Sequence, residues 1–160
     1  MASRSASAVL ALRYVETSAL LAALLEGHGA ARRALRVPGT LVTSALTLAE
    51  ARRGVIRARR SQRLTAEQER SALSALARFR RRCAVMPVTD DILVRVGKPF
   101  PVEPVRTLDA IHLATAAALT DEPQWLTILT LDQRIVANAR AIGYETSVVT
   151  SPRPRGPGGR

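Results

Sequence analysis

The chain has 160 residues, 47% of them hydrophobic, enough to bury the core of one domain and too apolar for a wholly disordered polypeptide. Aromatic residues make up only 3%, which leaves the core to Leu, Val, Ile and Ala and excludes stacking on aromatic rings as the main means of holding a base. The net charge is +11 and the basic residues are arginine except for Lys98, so the surface draws polyanions, nucleic acid first among them.

No apolar run approaches the ~20 residues of a membrane-spanning helix. The opening Met1–Leu12 runs into Tyr14-Val15-Glu16 with no signal-peptide cleavage pattern, so Val9–Val15 is predicted as the first strand. A helix is expected over Thr17–Glu26, capped by Thr17 or Ser18 and broken by Gly27 and Gly29. A second short helix covers Ala30–Leu35 and stops at Pro38-Gly39. Thr40–Thr43 reads as a strand, and Ser44 caps a long helix to about Arg60. Thr65, with Gln68 three residues on in capping-box spacing, opens another to about Arg82. Ala84–Val88 is the next strand, and Asp90 opens a short helix ending near Gly97. Lys98–Val105 contains three prolines and must be a loop. Thr107 caps a helix to about Leu119. Trp125–Leu129 has the continuous apolar character of a buried parallel strand. Asp132 opens a helix to about Ile142, Gly143 supplies its C-cap, and Thr146–Val149 is the last strand. Alternation of strand and helix along the whole chain predicts a three-layer α/β domain over 1–150 with a mostly parallel sheet. Residues 151–160, rich in Pro, Gly and Arg, read as a disordered basic tail.

The acidic residues number 13, few enough to consider singly. Glu16 follows the first strand and Asp132 follows the Trp125–Leu129 strand, and in a parallel sheet the carboxyl ends of the strands share one edge, where such folds bind ligands. Glu50 and Asp109 lie in the first two turns of their helices. If those helices start at the same edge, four carboxylates converge. Clustered carboxylates raise one another's pKa, a hard cation removes that penalty, and all-oxygen ligation selects Mg2+ or Mn2+. A metal so held activates water and neutralises a phosphate oxygen. Each acid also has a plain structural reading: Asp109 and Asp132 as helix N-terminal residues, Glu16 as a cap shared with Thr17, Glu50 as the partner of Arg53 on a helix surface.

The residues around these acids resemble the motifs of a known family. Tyr14-Val15-Glu16-Thr17-Ser18-Ala19-Leu20 resembles the opening of a PIN domain, with Glu16 where the usual form has Asp. Thr47-Leu48-Ala49-Glu50-Ala51-Arg52-Arg53 resembles the second motif. Arg106-Thr107-Leu108-Asp109-Ala110-Ile111-His112-Leu113-Ala114-Thr115-Ala116 resembles the third, the most specific of the set. Thr130-Leu131-Asp132, followed by Ala137, Ala139 and Gly143-Tyr144, resembles the last. The resemblance spans roughly Val9–Val149 and is greatest to VapC toxins of type II toxin–antitoxin systems. It implies a PIN-like sandwich, a metal-dependent endoribonuclease using Mg2+ or Mn2+, a cytoplasmic homodimer, and a VapB-type antitoxin that blocks the site. By the same resemblance Glu16, Glu50, Asp109 and Asp132 form the acidic, metal-holding pocket, and Thr17 and Thr130 are supporting neighbours that orient a carboxylate or a water. The departure at Glu16 adds a methylene and displaces the oxygens by roughly 1–1.5 Å. It keeps open a different class of protein, a PIN domain with weak or no catalysis that binds RNA or a protein. A PIN subunit of RNA processing without an antitoxin is a third reading.

The remaining features weigh less. His112, three residues after Asp109, is read as a packed structural histidine rather than a general base, His28 as an exposed loop residue, and Cys83 as a small hydrophobe of a reducing compartment. The arginines from Arg52 to Arg82 decorate a helical hairpin, as a solvated face or as a surface for RNA or an antitoxin. A receiver domain and a haloacid-dehalogenase-like phosphatase fit less well: the first needs a late lysine and paired acids, the second Asp-x-Asp where the chain has Glu16-Thr17-Ser18.

Overall fold

Five strands, β1 (Leu12–Val15), β2 (Thr40–Ser44), β3 (Ala84–Met86), β4 (Leu126–Thr130) and β5 (Glu145–Val148), pair in the order β3-β2-β1-β4-β5. Every pairing is parallel. The structure is a computed structural model and describes residues 11–148; the tail expected at 151–160 and the first two residues of the expected strand Val9–Val15 lie outside them. Val15 of central β1 is in register with Thr43 of β2 and Leu129 of β4. The carboxyl ends of these three strands therefore reach the same edge together.

Alternation along β1 divides the core in two. Tyr14 packs on one face with Leu113, Ile128 and Ile135, beneath α5 (Asp90–Val96), α6 (Thr107–Ala117) and α7 (Gln133–Ile142). Val15 packs on the other with Leu20, Leu41, Leu76 and Phe79, beneath α1 (Thr17–Leu25), α3 (Ala45–Arg60) and α4 (Ala66–Arg82). The short α2 (Gly29–Ala34) lies beside α1. The sheet is thus flanked by helices on both faces, as the alternating sequence predicts, and all its pairings rather than most are parallel.

Local chemistry explains the boundaries. The Thr65–Gln68 capping box is present in full at the start of α4, and Ser44 caps α3 through Leu46 N. Gly143 ends α7 at φ 104°, a left-handed conformation that favours glycine. Several boundaries differ from the sequence expectation, among them β3, which stops at Met86 rather than Val88, and β5, which runs Glu145–Val148 rather than Thr146–Val149. Pro123 draws Trp125 into a 3-10 turn, so β4 starts at Leu126. The α1 cap is Glu16 rather than Thr17 or Ser18. Arg106, not Thr107, holds the α6 cap position and makes no side-chain cap bond. His28 is half-buried and caps α2 through Ala31 N, so it is not simply an exposed loop residue. Arg13 is buried within the sheet, and its guanidinium donates to the carbonyls of Ala34 (2.7 Å) and Val37 (2.9 Å) at the end of α2. No described helix is long and apolar enough to cross a membrane.

Candidate active site

Glu16 leaves β1 where its backbone N–H donates to Leu129 O at 3.0 Å. The residue is only 5% exposed. Its Oε2 accepts from Ser18 N at 3.0 Å, from Thr130 Oγ1 at 2.8 Å and from Ser18 Oγ. The Ser18 hydroxyl in turn accepts from Leu131 N at 2.8 Å, and Thr130 Oγ1 accepts from Asp132 N at 3.1 Å. Glu16 is thus both a helix cap and a buried carboxylate stitched to the turn after β4. Glutamate is not among the favoured N-caps, and here the longer side chain folds back to its own helix.

Glu50, in the second turn of α3, reaches the same end of the sheet. Its Oε1 accepts from Thr17 Oγ1 at 2.7 Å and pairs with His112 Nε2 at 2.7 Å. The expected surface pairing of Glu50 with Arg53 is not among the ion pairs of the described residues, because the carboxylate turns inward to α1 and α6. Burial pushes the Glu50 carboxyl up, but the hydrogen bonds from His112 and Thr17 outweigh it, and its pKa lies below the ordinary glutamate value.

His112 is 2% exposed and contacts Tyr14, Thr17 and Glu50 at this edge. Its Nδ1 pairs with Tyr14 Oη at 2.8 Å, and its Nε2 lies 3.3 Å from Thr17 Oγ1 and 3.9 Å from Glu16 Oε1. It is packed and hydrogen-bonded, as expected of a structural histidine, yet its partners are the candidate site residues themselves. Sequence reasoning left it outside the site. Its spacing from Asp109 was the available signal, but nothing in sequence showed that β1 and α3 would meet it.

Asp109, in the first turn of α6, is half-buried, and its Oδ2 is a buried oxygen with no hydrogen-bond partner. Burial raises its pKa, the neighbouring Asp132 charge raises it further, and Arg134, His112 and Arg106 offset part of this. Asp132 caps α7, accepting from Arg134 N at 2.8 Å through Oδ1. Its plain structural reading as a cap is therefore realised, and its charge still acts on Asp109.

The fold thus arranges the acids as two neighbourhoods: Glu16 and Glu50 around His112, and Asp109 beside Asp132. The donors are hard oxygens suited to Mg2+ or Mn2+, and the unpartnered Asp109 Oδ2 is the kind of atom a cation would satisfy. Among the described residues, however, no three His, Cys, Asp or Glu side chains are gathered closely enough to hold an ion as they stand. The donor set fits such a cation in kind, and holding one requires the carboxylates to draw together.

No curated protein sequence matches the chain significantly. Solved structures do. VapBC2 from Rickettsia felis, bound to a DNA fragment from its promoter, is 17% identical with a TM-score of 0.60, covering 87% of this chain and 99% of that one. VapBC-5 from Mycobacterium tuberculosis, a member of the VapBC family of toxin–antitoxin systems, is 25% identical with a TM-score of 0.56 over 87% and 99%. VapBC-1 from nontypeable Haemophilus influenzae is 15% identical with a TM-score of 0.55 over 86% and 97%. These likenesses establish a shared fold across nearly the full length of those chains. The sequence pattern of the PIN domain matches residues 13–141, from β1 to within two residues of the end of α7, and on that match the chain belongs to the PIN domain family.

Proposed function

We propose that the protein is a VapC-type toxin, an endoribonuclease that hydrolyses RNA phosphodiester bonds with Mg2+ or Mn2+, and that a VapB-type antitoxin restrains it. The buried, unpartnered Asp109 Oδ2 beside Asp132, at the strand-end edge of a PIN domain, carries this reading. Asp109, Asp132, Glu50 and Glu16 would hold the metal, which when bound supplies an activated water and neutralises the phosphate. Thr17 supports Glu50, and Thr130 supports Glu16. Arg106 and Arg134, whose charges act on Asp109, would hold the phosphate that the acids alone would repel. The VapBC structures of like fold support an antitoxin partner, and the resemblance supports a cytoplasmic homodimer.

Cleavage of RNA by the purified chain with added Mg2+ or Mn2+, against Asp109→Asn, tests the proposal. Loss on the order of 10²–10³ in kcat is expected for a residue stabilising charge at the reacting phosphate; equal cleavage by both proteins would overturn it. One observation favours a second reading, a PIN domain that binds without cutting: Glu16 Oε2 is already occupied by Ser18 and Thr130. RNA binding by the native chain with no cleavage in either metal would establish that reading instead.

A further inference from the structure

We infer that His112 is a positioning residue, held by Tyr14 so that its Nε2–H fixes one oxygen of Glu50 and leaves the other available to the metal of the proposed reaction. The inference rests on the proposed nuclease reading and extends it to two residues outside the four acids.

The geometry is a relay from the core to the site. Tyr14 is fully buried in β1, and its hydroxyl meets His112 Nδ1 at 2.8 Å. The hydroxyls of Thr47 and Ser44 also face this phenol. A phenol, with an ordinary pKa of about 10, keeps its hydrogen at neutral pH. At the far side of the ring, Nε2 faces Glu50 Oε1 at 2.7 Å. An ionised carboxylate only accepts hydrogen bonds, so the hydrogen between them belongs to Nε2. In the neutral ring Nδ1 then accepts, and Tyr14 donates to it. The chain of donation runs Tyr14 Oη–H to Nδ1, then Nε2–H to Glu50 Oε1.

Thr17 completes the arrangement, donating to the same Glu50 oxygen at 2.7 Å while its own oxygen lies 3.3 Å from Nε2. Both donors therefore fall on Oε1. Elements distant in sequence fix this atom: β1 through Tyr14, α1 through Thr17, and α6 through His112. A histidine–carboxylate contact of this kind fixes ring tautomer and carboxylate rotamer together, and loss of such supporting partners costs roughly 10–100-fold in metal affinity or activity.

Tyr14→Phe tests the relay with little change in shape, and His112→Gln tests the ring itself. Nitrogen-15 NMR of the native chain is expected to show His112 in the Nε2–H tautomer, and Tyr14→Phe is expected to mix the two tautomers. Calorimetric titration with Mn2+ alone, without RNA, is expected to show affinity weakened roughly tenfold in both variants. RNA cleavage should fall in kcat with KM little changed, since the relay orients a carboxylate and does not touch RNA. Wild-type Mn2+ affinity and kcat in a folded Tyr14→Phe protein, or an Nδ1–H tautomer in the native chain, would overturn the inference. Failure of the native chain itself to bind Mn2+ and cut RNA would instead overturn the nuclease reading, and this inference with it. If His112→Gln does not fold, Tyr14→Phe and the tautomer decide.

Discussion

Two carboxylates of the site titrate in opposite senses, and each leaves a separate mark on stability. Asp109 has a raised pKa, so its ionised form is disfavoured in the folded state and stability improves as pH falls through that pKa. Asp109→Asn is expected to raise Tm at neutral pH and to remove this gain on acidification, alongside the loss of kcat proposed above. Glu50 has a lowered pKa, so it contributes stability above its unfolded value, about 4.3, and the contribution is lost as pH falls through the folded one. Glu50→Gln should flatten that acid limb in a Tm-versus-pH series. Glu16 presents a third case, because it combines two roles that different substitutions separate. Glu16→Ala removes the α1 cap and should cost about 0.5–2 kcal/mol, measurable by urea unfolding. Glu16→Asp keeps the charge and can still cap. If Glu16 serves the metal, cleavage should fall in Glu16→Ala and persist in Glu16→Asp; equal activity of Glu16→Ala and the native chain would remove Glu16 from the site. Cys83 stands apart from this chemistry: burial pushes its thiol up to about 12, and it should react slowly with maleimides at neutral pH.

Among the elements, the joint between α2 and β2 is the least forgiving. Gly39 has φ 143°, and a Cβ built there would lie 2.7 Å from the backbone oxygen of Ala11 and 2.8 Å from Arg13 Cδ. Gly39→Ala is expected to destabilise the protein by roughly 1–3 kcal/mol, read by denaturant midpoint, because a backbone atom cannot yield as a side-chain tip can. Helix and strand identities were legible because local signals carried them: Ser44 and the Thr65–Gln68 box as caps, Gly143 as a stop, and the apolar run before Thr130 as a central strand. The Glu16 cap was legible only as a structural alternative shared with Thr17, since glutamate rarely serves there and its reach depends on Thr130, 114 residues away. For the candidate site, the four proposed acids could be picked out from motif and topology. Their partners could not, because Tyr14–His112 and His112–Glu50 join residues 98 and 62 positions apart. Periodicity gave His112 a helix but not its neighbours.

On the scale of the whole molecule, charge and topology act together. Arg52, Arg53, Arg57, Arg59, Arg60, Arg63, Arg70, Arg78, Arg80, Arg81 and Arg82 are all exposed on α3, α4 and the turn between them, and among the described residues only Arg59–Glu69 forms an ion pair with an acid there. If this face holds RNA, log affinity should fall linearly with log salt, by roughly 0.7 per phosphate contact, in a filter-binding titration; a flat response would leave the face to solvent. The strand order carries a different consequence, for synthesis. Central β1 is made early, but one of its two neighbours, β4, is among the last elements made, and non-local parallel pairing is slow to form. A growing chain therefore displays its arginine hairpin long before Thr130 and Asp132 exist to close the edge around Glu16. Ribosome-bound nascent chains stalled before β4 has emerged should hold RNA yet leave it intact. If the proposed nuclease reading holds, translation order gives the machinery making this protein an interval in which the product can grip its surroundings without harming them.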